Sequence, residues 1–319
     1  MKPIVLRPAE PERDFGELAV LFAKEQDEPA SEPGLKADYE EHKDRIIRLM
    51  IAEDEQGELL GFNWAVRSRF DASQVYFFLI VKPEHRRQGV GGRLYDDLAQ
   101  AAEEAGAVKL QVSIRDSDPE CRAFAEKRGF TERSHYIGLA LDLEAFDDRH
   151  YETIIAKLKA EGIQFTSMAE LGNTREAQHK LYILNDTTAM EMPGSGGGHA
   201  WLSFEDFQKK VCQTDWYKPG GQIVAIDAAT GIWAAMSAIT RYEVADYAYN
   251  LHTGVDRLYR ERKLEQAVLA LALRYARDVL KVRAVRTDEN VLNQPMTAIY
   301  HELGYTRLPG TCSMEKTLK

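Results

Sequence analysis

The sequence predicts an α/β (α+β) protein made of two tandem copies of one folding unit. The chain has 319 residues, which fits two domains, since single domains commonly contain about 100–200 residues. From Ile4 to about Leu141, strand-like and helix-like hydrophobic patterns alternate. The same landmarks then return in the same order further along the chain. Length, alternation and repetition together favour a duplicated fold over one large domain.

The repetition has a nearly constant offset. A polar hairpin centred on Gly57 is followed 174 residues later by a hairpin centred on Gly231. Arg86 and Arg260, each behind an apolar strand, are separated by the same distance, and a glycine–aromatic pair closes each copy. Each copy is predicted to contain, in order, a strand, a helical region, a hairpin, an apolar strand, a basic turn, a helix, a strand, a helix and a strand.

The repeat also sets the expected domain boundary. A charged stretch, Asp142 to His150, interrupts the strand pattern and is the predicted linker. We therefore expect an N-terminal domain over 1–146 and a C-terminal domain over 147–319. The segment Glu191 to Trp201 contains four glycines and has no counterpart in the first copy, so it predicts a flexible loop before a helix that starts near Ser203.

Composition limits the partners. The net charge of −10 opposes binding to nucleic acid and to anionic membranes, and it favours cationic small molecules or peptides. The longest apolar helical run, Ala267 to Leu273, is short of the ~20 residues of a membrane span. Cys121, Cys212 and Cys312 are widely spaced, which favours neither disulfides nor a metal motif. We expect a cytoplasmic monomer or homodimer without a metal.

The most informative segment is an apolar strand, a basic turn and an amphipathic helix, VYFFLIVKPEHRRQGVGGRLYDDLAQAA. Glycines at the start of the helix let its first N–H groups approach an anion, and the helix dipole and nearby arginines add positive potential. The spacing does not match the G-x-G-x-x-G fingerprint of dinucleotide-binding folds. The segment therefore predicts a phosphate or pyrophosphate site formed by Arg86, Arg87, Gln88, Gly89, Val90, Gly91, Gly92 and Arg93.

These residues resemble a known motif. Arg86-x-x-Gly89-x-Gly91, behind a strand that ends in Val-Lys-Pro-Glu, resembles the pyrophosphate-binding motif of the GNAT superfamily of acyl-CoA-dependent N-acetyltransferases. CRAFAEKRGF resembles the closing helix and strand of that superfamily, so the likeness spans about residues 3–141. The second copy resembles it through YRERKLEQAVLALALRYARD and NQPMTAIYHELGY. The tandem arrangement is similar to that of mycothiol synthase and other two-domain bacterial acetyltransferases.

The resemblance implies a fold and a reaction. It implies that each domain has a central mixed, mostly antiparallel sheet flanked by helices. It also implies acetyl-CoA as co-substrate, a primary amine as acceptor, and direct transfer in a ternary complex. The backbone of Leu79, Ile80 and Val81 would then pair with the pantetheine arm and polarise the thioester carbonyl. The same residues are equally expected to form a buried central strand.

The two copies differ at the basic turn. Lys263 and Glu265 stand where the first copy has Gly89 and Gly91. Side chains at these positions obstruct backbone approach, and a carboxylate repels pyrophosphate. We therefore expect the donor site in the N-terminal domain, although arginines near the second turn leave a second site open.

The two copies also differ at the expected catalytic acid. The superfamily pattern N-x-x-A-x-x-L-Y-x-K-x-G-F supplies a tyrosine that protonates the departing thiolate. The first copy has Asp118 and Ala125 at the asparagine and tyrosine positions, whereas the second has Asn293 and Tyr300. Tyr300 is thus the candidate catalytic residue, on the copy whose turn is altered. Neither copy has a carboxylate at the usual position of the general base.

The sequence therefore predicts a tandem N-acetyltransferase that binds acetyl-CoA in its N-terminal domain and acts on a small cationic molecule or a peptide amine. Two alternatives stay open. One is a non-catalytic acyl-CoA-binding or regulatory module, because the first copy lacks the tyrosine. The other is catalysis in the C-terminal domain, as in mycothiol synthase.

Overall fold

A computed structural model describes the chain over residues 3–26, 30–69, 71–193, 203–242 and 245–318. The chain divides into two compact units. Unit 1 comprises Met1–His135 and Thr311–Lys319, and unit 2 comprises Tyr136–Gly310.

Strands and helices alternate through both units, as the hydrophobic patterns predict. The strands are β1 (Val5–Pro8), β2 (Ile46–Glu53), β3 (Leu59–Arg67), β4 (Gln74–Val81), β5 (Lys109–Arg115), β6 (Thr131–Asp142), β7 (Ile163–Ser167), β8 (Gln222–Asp227), β9 (Trp233–Thr240), β10 (Ala248–Val255), β11 (Ala284–Asn290) and β12 (Thr306–Thr317). The helices are α1 (Pro11–Gln26), α2 (Glu32–His42), α3 (Val90–Glu104), α4 (Pro119–Glu126), α5 (Arg149–Ala160), α6 (Arg175–Met190), α7 (Phe204–Phe207), α8 (Leu264–Tyr275) and α9 (Gln294–Glu302).

The sheet of unit 1 has the strand order β1-β2-β3-β4-β5-β12, with β12 contributing residues 311–317. Strands β4 and β5 pair in parallel, whereas β1/β2, β2/β3, β3/β4 and β5/β12 are antiparallel. The predicted hairpin at Gly57 joins β2 to β3, and its φ of 81° requires the left-handed conformation that glycine adopts readily.

The sheet of unit 2 has the order β6-β11-β10-β9-β8-β7, with β6 contributing residues 136–142. Here β10 and β11 form the parallel pair, and the other described ladders are antiparallel. Gly231, at φ 73°, turns the hairpin between β8 and β9. The predicted fold class, a mixed and mostly antiparallel sheet flanked by helices in each copy, is confirmed.

The last strand of each sheet comes from the other sequence copy. In unit 1 the strand beside β5 is the end of β12, and in unit 2 the strand beside β11 is the end of β6. The compact units therefore divide the chain within β6 and within β12. The boundary between 1–146 and 147–319 stays a prediction about where the sequence copies meet.

Amphipathic helices cover the sheets through the apolar faces expected from the sequence. In α3 the buried residues are Val90, Leu94, Tyr95, Leu98 and Ala102. Helix α8 is buried on nearly all sides, since most of its residues from Leu264 onward are inaccessible to solvent.

Two further predictions concern the loop before α7 and membrane spans. Residues 194–201 of the predicted glycine-rich loop lie outside the described part of the chain. The helix expected near Ser203 is α7, which Ser203 caps by accepting a hydrogen bond from the Asp206 N–H at 3.0 Å. Among the described helices, none combines the length and apolarity that a bilayer crossing requires.

Candidate active site

A gap in the sheet of unit 1 opens a cavity. Strands β4 and β5 pair in parallel over 74–76 and 109–111. Beyond that pairing, residues 77–81 of β4 and 112–115 of β5 line a cavity of about 570 Å³. This volume is in the range of small-molecule sites. The parting of two neighbouring strands thus gives unit 1 a cleft in the middle of its sheet.

The pairing of β4 with β3 decides which peptide groups face this cleft. The Lys82 N–H donates to the Leu60 carbonyl at 2.9 Å, and the Ser68 N–H donates to the Gln74 carbonyl at 2.8 Å. Because antiparallel pairing alternates along a strand, even-numbered residues of β4 bond to β3. Phe77, Leu79 and Val81 therefore direct their N–H and C=O groups towards the cavity, whereas the peptide groups of Ile80 face β3.

The basic turn ends at the start of α3, at one end of the cavity. Gly89 is the residue before the helix and has φ 91°, and Arg87 also has positive φ, at 63°. The first N–H groups of a helix have no acceptor within it. Gly91 and Gly92 lie in this first turn and line the cavity, so their N–H groups are placed to bind an anion.

The glycines keep that end of the cavity open. A β-carbon built on Gly91 would lie 3.4 Å from the Phe124 ring and 3.6 Å from Val81 Cγ2. Both neighbours line the cavity. A methyl group fits there, but a longer side chain at position 91 would extend into the cavity.

The cavity wall carries more positive than negative charge, although the chain as a whole is acidic. One of its cations has unused hydrogen-bonding capacity: Arg115 Nη2 is buried and has no hydrogen-bond partner among the described residues. A buried donor without a partner is costly, so a ligand acceptor at this position would be favourable. The cations are Arg86, Arg87, Arg115, Lys127 and Arg128, and the acids are Glu25, Asp118 and Glu120.

Two of these arginines, Arg86 and Arg128, make internal hydrogen bonds, and Arg87 forms an ion pair with Glu120 at 3.7 Å. Arg86 donates from Nη2 to Glu25, at the end of α1, and from Nε to the Val81 carbonyl at 3.2 Å. Arg128 lies over the Phe124 ring, 3.6 Å from its centroid, and donates to the Phe124 carbonyl at 3.2 Å. Arg86 therefore fixes the turn to α1, whereas both of these Arg128 contacts lie within α4 and its C-terminal turn.

A thiol also lines the cavity. Asp118 caps α4 by accepting a hydrogen bond from the Cys121 N–H at 2.9 Å. Desolvation and, to a smaller extent, the hydrogen bond to Asp118 raise the pKa of Cys121 to about 12. The thiol is therefore protonated near neutral pH and is a poor nucleophile there.

The structure brings most of the predicted donor-site residues together. Three predicted residues do not line the cavity: the Val90 side chain is in the core, Gln88 Nε2 donates to the Glu84 carbonyl at 2.9 Å, and Arg93 donates to the Ile4 carbonyl at 2.5 Å. The predicted residues that do line it are Leu79, Ile80, Val81, Arg86, Arg87, Gly89, Gly91 and Gly92.

Sequence reasoning missed the opposite wall. That wall is formed by 112–115 of β5 and by α4 with its preceding turn. The available signal in the sequence is Arg115, a basic residue at the end of the strand-like segment VKLQVSIR. Which face of β5 meets β4 depends on pairing between segments far apart in sequence, so it could not be read locally.

The corresponding turn of unit 2 has the same backbone conformation but different side chains. Glu261 and Lys263 have φ of 67° and 63°, where unit 1 has Arg87 and Gly89. Glu265 lies in the first turn of α8, and its Oε2 atom is buried without a hydrogen-bond partner in the described part of the chain. The carboxylate predicted to oppose pyrophosphate is therefore at the helix N-terminus.

Buried polar side chains lie beside the strand gap of unit 2. Strands β10 and β11 pair in parallel at Ala248 and Tyr249, and the next residue, Asn250, is the centre of a hydrogen-bond network. Asn250 Nδ2 donates to Ser237 Oγ at 3.0 Å, and Asn250 Oδ1 accepts from the Tyr300 hydroxyl at 3.2 Å. Burial raises the pKa of Tyr300 well above its ordinary value. Its catalytic role stays a prediction.

A buried carboxyl group, which sequence reasoning missed, lies near Tyr300. Glu289 is 5% exposed, and burial raises its pKa to about 7. Its Oε1 atom accepts hydrogen bonds from the Asn290 N–H at 2.9 Å and from Asn293 Nδ2 at 3.1 Å. The negative charge of Glu289 also raises the pKa of Tyr300, so the two groups lie in one buried polar cluster.

Comparison with known proteins agrees with this geometry. Residues 15–130 match the acetyltransferase (GNAT) family. The chain is 28% identical over 135 residues, 41% of its own length, to an uncharacterized N-acetyltransferase, YhfO, of Bacillus subtilis (strain 168), of which it covers 88%. The predicted likeness to the GNAT acyltransferases is therefore confirmed for residues 15–130.

Solved structures extend the likeness of the fold to both units. A GCN5-related N-acetyltransferase from Sphaerobacter thermophilus aligns with a TM-score of 0.72 at 18% identity, over 99% of this chain and 97% of that one. A tandem GNAT protein from the clavulanic acid biosynthesis pathway aligns with a TM-score of 0.70 at 17% identity, over 99% and 98%. The chain therefore has a tandem GNAT fold.

Proposed function

We propose that the protein transfers an acetyl group from acetyl-CoA to a primary amine of a small cationic molecule or a peptide, and that unit 1 binds the donor. The observation that carries the proposal is the gap between β4 and β5. It joins unpaired strand peptide groups to a glycine-lined helix N-terminus in one cavity. Acetyl-CoA has the matching order of groups, a thioester and amides followed by a pyrophosphate.

The polar groups of the cavity suit both parts of the donor. The N–H groups of Gly91 and Gly92 would hold the pyrophosphate, and the unpartnered Nη2 of Arg115 supplies a further donor for a polar group of the ligand. The peptide groups of Phe77 and Leu79 would pair with the pantetheine amides. An N–H on this strand would also stabilise the oxyanion that forms when the thioester is attacked.

Direct transfer fits the cavity better than an acyl-cysteine intermediate does. The high pKa of Cys121 leaves little thiolate to attack the donor. In direct transfer the amine nitrogen attacks the thioester carbon, the C–S bond breaks, and the thiolate leaves with its electron pair. A lysine-like amine must first lose a proton, which costs about 5 kcal/mol at pH 7. The proton passes to solvent or to a carboxylate at the cavity wall.

A second candidate places the chemistry in unit 2. It is favoured by the cluster of Glu289 and Tyr300, because a carboxyl group with a pKa of about 7 is suited to act as a general base near neutral pH. Tyr300 would then protonate the departing thiolate. This arrangement requires the hydroxyl of Tyr300 to leave Asn250 during the reaction.

The test is the release of free CoA from acetyl-CoA over a panel of amines. Gly91→Glu adds a carboxylate inside the cavity and is expected to lower kcat/KM by about 100-fold or more. Gln100→Glu is the matched control, because it adds the same charge to an exposed position of α3 and is expected to leave kcat/KM within about 2-fold.

Each alternative has its own outcome. Unchanged turnover in Gly91→Glu would contradict a donor site in unit 1. Tight acetyl-CoA binding by the wild-type chain without turnover of any amine would favour the non-catalytic module instead.

A further inference from the structure

Three side chains with metal-binding atoms meet in unit 1 away from the cavity. They are Glu132 and His135 of β6 and Cys312 of β12, and one ligand atom of each lies within 4.8 Å of the other two. Cys312 is 2% exposed. A carboxylate oxygen, an imidazole nitrogen and a sulfur are thus together at a partly buried position. These three residues do not line the cavity described above.

A fourth residue orients the histidine. His135 Nε2 lies 3.1 Å from Asp116 Oδ2. When Nε2 carries the proton and donates it to this carboxylate, the lone pair is on Nδ1. A carboxylate that holds the other nitrogen of a histidine in this way is the usual outer partner of a zinc-bound imidazole.

A positive charge already bridges two of the three groups. Arg122 Nη1 lies 2.9 Å from Glu132 Oε2 and 3.8 Å from Cys312 Sγ. A cation therefore already lies beside both the carboxylate and the thiol. Arg122 Nε also bonds Glu126 Oε1 at 2.9 Å, one turn along α4, so the arginine keeps an ion pair if a metal displaces it from Glu132.

We propose that Glu132, His135 and Cys312 bind one Zn²⁺, with Asp116 orienting His135 and a water molecule completing a tetrahedral shell. Zinc is the divalent ion that best suits a mixed set of sulfur, nitrogen and oxygen ligands. Tetrahedral ligand atoms lie about 3.3–3.8 Å apart, so the side chains move by about 1 Å to close on the ion. The Cys312 thiol loses its proton to solvent as the bond to zinc forms.

The position of the site indicates what the metal does. Cys312 lies on the terminal strand of the chain, where it pairs with Ile114 of β5, and Glu132 and His135 lie on β6. Zinc would therefore tie the C-terminal strand to β6 within unit 1. The role is structural, and it does not depend on the proposed transfer reaction.

The test is Zn²⁺ binding to the full-length, tag-free chain after treatment with a chelator. Calorimetry is expected to show one equivalent per chain, and Co²⁺ in place of zinc is expected to give a thiolate-to-metal charge-transfer band. Cys312→Ser is expected to lower the affinity by about 100-fold or more, and Asp116→Asn by about 10- to 100-fold. Cys212→Ser, which removes a cysteine outside the cluster, should leave both signals unchanged.

Two further variants protect the test against misfolding, because Cys312 is in the core. His135→Gln changes a partly exposed residue and is expected to abolish the site while the circular dichroism spectrum stays unchanged. Arg122→Gln removes the competing cation and is expected to raise the zinc affinity about 10-fold. Equal affinity in the wild type, Cys312→Ser and His135→Gln, or a Co²⁺ complex without a thiolate band, would overturn the proposal.

Discussion

In each unit the two parallel strands at the centre of the sheet separate at equivalent positions, but different residues lie at the two gaps. In unit 1 the strands β4 and β5 separate after Tyr76 and leave a cavity, with Ala125 on its wall. In unit 2 the strands β10 and β11 separate after Tyr249, and the side chains of Asn250 and Tyr300 form a buried network. The topology creates the gap in both cases, and side-chain size and polarity decide whether it becomes a site or part of the core.

The turns before α3 and α8 likewise share a backbone conformation and differ in their residues. Both hold two residues at positive φ in equivalent positions, although unit 2 uses Glu261 and Lys263 there. A non-glycine residue in this conformation costs about 1–2 kcal/mol, so the surrounding turn must impose it. The backbone shape therefore remains in unit 2, whereas the glycines that make room for an anion do not.

The first arginine of each turn has a structural partner in both units. Arg86 pairs with Glu25 at the end of α1, and Arg260 pairs with Glu191 directly after α6. This shared pair indicates that the arginine fixes the turn to the preceding long helix. The contrast between the units thus concerns the glycines and the contents of the gap rather than this arginine.

Among substitutions beside the strand gap of unit 2, Glu289→Gln is expected to change the unfolding free energy most. Burial raises the pKa of Glu289 from 4.5 to about 7, so the folded state favours the protonated carboxyl group. Its stabilisation is complete below pH 4.5 and is lost as the pH rises through about 7. This shift corresponds to about 3 kcal/mol of unfolding free energy. Glutamine keeps the acceptor for Asn290 and Asn293 but has no charge to bury.

The measurement is denaturant unfolding of both proteins from pH 4 to pH 8. The variant is expected to match the wild type at the acid end and to be more stable by about 3 kcal/mol at pH 8. Contributions from other titrating groups cancel in the difference between the two proteins. A constant difference across this range would show that Glu289 is not held protonated by burial.

A smaller effect is expected from Tyr300→Phe. The substitution removes the hydroxyl that donates to Asn250 and keeps the ring in the core, so it should lower the unfolding free energy by about 1 kcal/mol. If the donor site and the chemistry are in unit 1, kcat changes by less than about 2-fold. Turnover and denaturant unfolding of the same preparation give both numbers.

A large change in kcat with a small change in unfolding free energy would assign the active site to unit 2. A fall in kcat of about 100-fold with little change in stability would assign Tyr300 as the catalytic acid, in agreement with its predicted role, and would place catalysis in unit 2. The open cavity of unit 1 would then not be the site of acetyl transfer.

Local patterns predicted much of this architecture. Hydrophobic alternation and the 174-residue offset located both hairpins, and Gly57 and Gly231 turn them at positive φ. The glycine-rich turn identified one end of the cavity, because its chemistry lies in consecutive residues. Distant pairings were not predictable: nothing near Cys312 shows that its strand lies beside β5. For the same reason the sequence did not predict the cavity wall that carries Arg115 or the cluster around His135, because both bring together segments that are far apart in the chain.

The most direct test of unequal units is the stoichiometry of acetyl-CoA binding by calorimetry, with the wild-type chain and Gly91→Glu compared in one buffer. We expect one equivalent per chain for the wild type and no measurable binding for the variant. Two equivalents for the wild type, or one equivalent retained by Gly91→Glu, would contradict the assignment of the donor to unit 1.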